Sequence, residues 1–144
     1  MGAVARDAKG HLAAATSTGG FNNKPVGRVG NAPIIGAGTY TRDSVCAVSC
    51  TGQGEAFMRH VAAYDVAARM TYASQSLEAA VRTVVMETLS ADSIGAGLVA
   101  LGASGNPVAI FNTLDMYRGW ITIEGDMTGA THETLHPMGR VALP

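Results

Sequence analysis

The chain has no run of lysine or arginine, and its formal charge at pH 7 is only -1. It therefore carries no electrostatic footprint for a phosphate backbone or an anionic membrane, and nucleic acid is not an expected partner. No apolar stretch approaches the roughly 20 residues that span a bilayer. The opening Met1-Gly2-Ala3-Val4-Ala5-Arg6-Asp7 lacks the layout of a signal peptide, so a cytoplasmic protein with no membrane partner is expected. Cysteine is scarce: Cys46 and Cys50 are too few for a metal set. Four apart on one face of an alternating strand, they are also too distant for an unstrained bridge and should be free, buried thiols. Charged residues make up 15% of the 144 against 47% hydrophobic ones, which describes one globular domain, 1–144, with a sizeable core.

Gly2 to Asp7 alternates, Lys9-Gly10 reads as a turn, and Leu12 to Thr18 completes a hairpin. The segment from Phe21 to Gly38 holds Pro25, Pro33 and several glycines, which predicts a long irregular loop of the kind that is usually functional. Val45 to Thr51 reads as a buried strand. Gly52-Gln53-Gly54 then turns it into a helix whose apolar stripe is Phe57, Val61, Tyr64 and Ala68, with Glu55, Arg59 and Asp65 opposite. A second helix is expected to start at Ser76 as N-cap, to bury Leu77, Val81, Val84, Val85 and Thr88, and to stop before Gly95. Gly97 to Ala103 and Pro107 to Asn112 form another hairpin, Trp120 to Glu124 a short strand, and residues 125–144 an irregular tail. Strands and helices do not alternate strictly. The pattern predicts an α+β fold, an antiparallel sheet with two helices on one face.

Three clusters carry the chemistry: Ala15-Thr16-Ser17-Thr18-Gly19-Gly20, Gly27-Arg28-Val29-Gly30-Asn31, and Ser49-Cys50-Thr51-Gly52-Gln53-Gly54. Together they supply hydroxyls, one fixed cation and open backbone amides, the inventory needed to bind a small zwitterion and stabilise an oxyanion. Arg28 sits where no helix partner or charge run explains it, the alternative being a loop-anchoring salt bridge. Thr51 serves equally well as the N-cap of the following helix.

Rival motifs are weaker. His132-Glu133-Thr134-Leu135-His136 spells H-E-x-x-H, which on a helix would aim two imidazoles at zinc. Pro137 follows at once, Gly125 and Gly129 precede, and no third ligand remains downstream, so no metal is expected. Gly52-Gln53-Gly54 opens like a dinucleotide fingerprint, but Phe57 stands where the third glycine belongs. There is no G-x-S-x-G elbow, and His11 and His60 read as solvated or interface side chains.

The words Ala13-Ala14-Ala15-Thr16-Ser17-Thr18-Gly19-Gly20, Lys24-Pro25-Val26-Gly27-Arg28-Val29-Gly30, Gly36-Ala37-Gly38-Thr39-Tyr40, Val48-Ser49-Cys50-Thr51-Gly52-Gln53-Gly54-Glu55 and Phe111-Asn112-Thr113 occur in that order. In this the chain resembles the β subunit of the plant-type asparaginase and isoaspartyl peptidase family, up to about Glu124. The resemblance implies an N-terminal-nucleophile hydrolase that acts without a cofactor. It also implies half of an αββα sandwich, made from a precursor that cuts itself so that the β subunit opens on a nucleophilic threonine whose α-amine is the base. It assigns Thr18 to orient the nucleophile, Thr51 and Gly52 to the oxyanion hole, Arg28 to the substrate α-carboxylate, and the Gly54 carbonyl to the α-amino group.

Two departures stand out. The family's β subunit opens Thr-Val-Gly-Ala-Val, whereas Met1 directly precedes Gly2-Ala3-Val4, so the nucleophile is not among these residues. A late start, a separately encoded half-enzyme, or a protein that keeps the site without the reaction would each explain this. Asn31 stands where the family usually has an aspartate for the substrate ammonium, and a neutral amide forfeits about 1 to 3 kcal/mol of charge pairing. The resemblance further implies an α chain as partner in an (αβ)2 assembly, with an amino acid or dipeptide as substrate. Two functions follow: the β half of an amidohydrolase for asparagine and β-aspartyl dipeptides, or an inactive relative that binds aspartate-like ligands or only assembles.

Overall fold

The computed structural model describes residues 1–142, which fall into two compact units, residues 1–112 and the residues from 113 onward. The first unit contains β1 (Gly2–Arg6), β2 (Leu12–Thr16), β3 (Thr39–Arg42), β4 (Cys46–Gly52), α1 (Gly54–His60), α2 (Ala62–Tyr72), α3 (Leu77–Arg82), a π-helical continuation (Thr83–Leu89), β5 (Ala96–Gly102) and β6 (Pro107–Phe111). Strands β3-β4-β5-β6 form an antiparallel sheet in that order, and β1 pairs with β2 as a separate hairpin. The architecture is α+β, as the sequence predicts.

Strand β4 is the middle layer. Cys46 through Cys50 are all buried, and because side chains alternate, the strand presents two different faces. Cys46, Val48 and Cys50 join Phe57, Val66, Val81, Val84 and Leu98 in the core under the helices. Ser49 points the other way, against the hairpin, where a Cβ on Gly2 would lie 1.7 Å from Ser49 Oγ. A glycine at position 2 is therefore required for the hairpin to lie this close to the sheet. Both cysteines are free and buried, and burial pushes the Cys46 thiol up to about 11.

The first helix departs from its predicted stripe. Val61 adopts a left-handed conformation, φ 47° and ψ 47°, and splits the segment into α1 and α2. Behind it, Gly36 and Ala37 of the long loop accept hydrogen bonds from the amides of Tyr64 (2.8 Å) and Ala63 (3.3 Å), which satisfies the start of α2 with loop carbonyls. The restart shifts the buried set to Ala62, Ala63, Val66 and Ala67, leaving Val61 and Tyr64 exposed. In the second helix Ser76 caps as expected, its hydroxyl accepting from the Ala79 amide at 3.2 Å. There the buried row ends on Leu89 instead of Thr88, because π winding relates residues five apart and carries the row from Val84 to Leu89.

The second unit corrects the irregular tail. Residues 113–142 form a meander of β7 (Arg118–Ile121), β8 (Asp126–Ala130) and β9 (His136–Arg140), with a bulge between Met127 and Thr128, and the last two residues of the expected tail, 143–144, lie outside the described residues. Strand β9 is exposed throughout and contains Pro137, so no apolar alternation announces it. It is held by ladder hydrogen bonds at a sheet edge, where proline is tolerated. His132 lies in a bend and His136 in β9, so the H-E-x-x-H residues form no helix, and no group of three metal-ligating side chains occurs among the described residues. Among the described residues no helix is long and apolar enough to cross a membrane.

A β-branched residue at positive φ is strained. Val61→Asn, which tolerates that conformation at a half-exposed position, should stabilise the fold by about 0.5 to 1 kcal/mol. The denaturant midpoint should rise; a fall would show that the Val61 side chain contributes more by contact than its backbone loses in strain.

Candidate functional site

The long loop between β2 and β3 closes over the ends of β2 and β4 and leaves a cleft of about 600 Å³. Its walls include Thr16, Ser17, Thr18, Lys24, Arg28, Asn31, Thr51 and Gly52. Five of the six residues singled out from the sequence thus line one space, although they come from three separate segments. Gly54 does not line it. It is buried at the start of α1, where a Cβ would lie 2.7 Å from the Asn31 amide nitrogen and 2.8 Å from Gly30 Cα. Its role in the architecture is to let the loop rest directly on the helix.

Arg28 makes the loop-anchoring salt bridge that the sequence offered as the alternative, with a partner on the helix that the sequence did not name. Its Nε and Nη2 donate to the two carboxylate oxygens of Glu55 at 2.7 and 2.9 Å, a forked pair between the loop and the first turn of α1. The two residues are 27 apart, and Glu55 lies on the helix face opposite the apolar stripe, as the sequence places it. Phe21 lies 5.0 Å from the guanidinium carbon and covers its face. The Arg28 side chain is only 16% exposed while Glu55 is 52% exposed. The hydrogen bond from Arg28 is the main cause that draws the Glu55 carboxyl down to about 2.

Asn31 is 7% exposed. Its Nδ2 is buried without a hydrogen-bond partner and abuts Gly38, where a Cβ would stand 2.9 Å from it. The Thr18 hydroxyl accepts from the Gly20 amide at 2.9 Å, which fixes the turn after β2. Beside it lies a hydroxyl cluster that sequence reasoning did not assemble: Thr16 Oγ1 hydrogen-bonds Thr39 Oγ1, Ser49 Oγ at 2.6 Å and the Gly38 carbonyl at 3.2 Å. Thr51 is exposed in the cleft wall, and α1 receives no side-chain cap, so the capping role considered for Thr51 is not used. Gly52 has φ 145°, and a Cβ there would meet the Gly95 carbonyl at 2.6 Å. Only glycine fits at that point.

His60 and Arg59 both engage Asp92, at 3.0 and 2.6 Å, and His11 pairs with Asp7 at 2.9 Å, where that hydrogen bond raises the imidazole. None of the three basic residues lines the cleft.

An antiparallel α+β scaffold whose glycine-rich loops gather hydroxyls, amides and a guanidinium into one cleft is the class of site that the asparaginase motifs call for. Residues 1–130 match the profile of the family described as "Asparaginase". The chain is 54% identical over 120 residues to an isoaspartyl peptidase of Escherichia coli (strain K12), covering 83% of this chain and 37% of that protein. It is 54% identical over 126 residues to a putative isoaspartyl peptidase/L-asparaginase of Dictyostelium discoideum (88% and 36%). With a probable isoaspartyl peptidase/L-asparaginase 2 of Arabidopsis thaliana it shares 47% identity over 133 residues (92% and 40%). The chain belongs to this asparaginase family and spans a little over a third of the length of the relatives it matches.

The depressed Glu55 carboxyl gives a pH signature. Its ordinary value is 4.5 and its folded value about 2, so the pairing stabilises the fold fully above the ordinary value and is lost as pH falls through the folded one. The stability difference between wild type and Glu55→Gln should be full at pH 6, shrink on acidification below the ordinary value and vanish only below the folded value of about 2. A difference that does not change with pH, in unfolding midpoints measured across that range, would remove the pair from the account.

Proposed function

We propose that the chain is the β half of an amidohydrolase acting on L-asparagine and β-aspartyl dipeptides through an N-terminal threonine. One observation carries this reading. The β1–β2 ladder pairs Gly2 with Thr16, and Met1 and Ser17 exchange hydrogen bonds at 3.0 and 2.9 Å, continuing it. By the same register, a residue preceding position 1 would stand opposite Thr18, its side chain on the face that carries Thr16. A threonine there would meet the Thr18 side of the cleft, within the space that Thr51 and Gly52 also line.

In this reading the threonine hydroxyl attacks the side-chain amide carbonyl, and its own α-amine takes the proton and returns it to the leaving amine. Thr18 orients the nucleophile. Thr51 and the Gly52 amide receive the oxyanion. Arg28 keeps donor hydrogens beyond the two given to Glu55, and these hold the substrate α-carboxylate, with Asn31 and the Gly54 carbonyl serving the α-amine side. The names of the relatives support both substrates. The remaining two thirds of their length supports an α chain as partner, completing an αββα sandwich and an (αβ)2 assembly. Such a protein fits the cytoplasm.

The test is a chain that begins Thr-Val-Gly2, co-produced with an α chain. It should release ammonia from asparagine and aspartate from a β-aspartyl dipeptide, whereas the chain beginning Met1-Gly2 should do neither. Arg28→Ala should weaken L-aspartate binding about a hundredfold. A silent threonine-initiated protein that still binds L-aspartate would favour the non-catalytic relative; binding that survives Arg28→Ala would remove Arg28 from the site.

A further inference from the structure

The cleft's charges are not equivalent. Arg28 is forked onto Glu55, so its charge is already matched. Lys24 lines the same cleft, and among the described residues its ammonium has no hydrogen-bond or ion-pair partner. Among the described residues no carboxylate lines this space. The uncompensated charge facing a ligand is therefore that of Lys24.

Its position is built. The turn from Phe21 to Lys24 is closed by the Lys24 amide donating to the Phe21 carbonyl at 3.3 Å. The lysine stem then lies across Gly20, where a Cβ would stand 2.7 Å from Cδ and 3.3 Å from Nζ. Gly20 has φ +86° and is tied to the Thr18 hydroxyl, so a glycine both makes the turn and leaves room for the lysine. Arg28 is anchored elsewhere, against Gly30 and the first turn of α1. The two cations thus stand on different supports, Lys24 by the Thr18 turn and Arg28 by the helix.

From this we infer that Lys24 is the residue that selects substrates carrying a second carboxylate, the one that a β-aspartyl dipeptide has on its leaving amino acid and free asparagine lacks. The inference rests on the amidohydrolase reading for which bond is broken. Arg28 anchors the aspartyl end, the scissile amide lies by Thr18 and Thr51, and the leaving residue's carboxylate meets the Lys24 ammonium. No bond to Lys24 is made or broken; it acts by charge on binding.

The experiment uses the assembled, threonine-initiated protein and three substrates: asparagine, β-aspartyl-leucine and its C-terminal amide, which lacks the second carboxylate. Lys24→Met should raise KM for β-aspartyl-leucine about five- to tenfold. It should leave kcat, and KM for asparagine and the dipeptide amide, within twofold; Lys24→Arg should restore most of the loss. Equal effects on acid and amide, or none on either, overturn the inference while the amidohydrolase reading stands. Absence of turnover with all three substrates in the wild type defeats that reading instead. Calorimetric binding of the acid and the amide to the same proteins then decides Lys24: a loss confined to the acid supports it, and any other pattern overturns it.

Discussion

The cleft depends on one contact, the seating of the Gly30-Asn31 backbone on the first turn of α1 at Gly54. A side chain at position 54 would collide with the loop backbone, and overpacking of that kind costs about 1 to 3 kcal/mol even where neighbours can give way. The Arg28–Glu55 fork spans the same junction, but Glu55 is half exposed and water screens the pair. Shape therefore holds the loop down, and the ion pair sets the direction in which the guanidinium points. Each does what the other does poorly: a steric fit has no handle on a planar cation, and an exposed ion pair has little grip on a backbone.

The same loop serves the helices. Its carbonyls at Gly36 and Ala37 receive the first amides of α2, and Gly38 approaches Asn31 so closely that a Cβ would overlap its backbone. The left-handed Val61 is the conformational cost of this arrangement, since it lets one chain segment leave α1 and re-enter a helix at the angle the loop requires. A segment that simultaneously lines the cleft, starts a helix and rests on another cannot move without disturbing the core. That rigidity is what a site of preoriented donors needs.

How much of this was legible follows from which forces were local. The hairpin, β4, β5, β6 and the Ser76 cap were readable because alternation and capping act within a few residues. The gathering of Thr18, Arg28, Asn31, Thr51 and Gly52 was readable through motif resemblance, not from any periodicity. The break at Val61 was not, because its cause is a pair of carbonyls some 25 residues upstream in sequence. The partner of Glu55 was hidden for the same reason: helical spacing reports correctly that Glu55 lies on the exposed face, not which distant loop will descend on that face. Strand β9 was hidden because nothing in it is buried.

Asn31 shows how these constraints bear on recognition. Its amide is buried against Gly38, and among the described residues its Nδ2 has no partner. A buried donor left unsatisfied costs about 1 to 3 kcal/mol, and close contacts with Gly54 and Gly38 hold Asn31 where it is. A carboxylate at the same point would bring a negative charge to a cleft whose lining has none, opposing Lys24 and drawing in ammonium. The neutral amide leaves the cleft's charge positive.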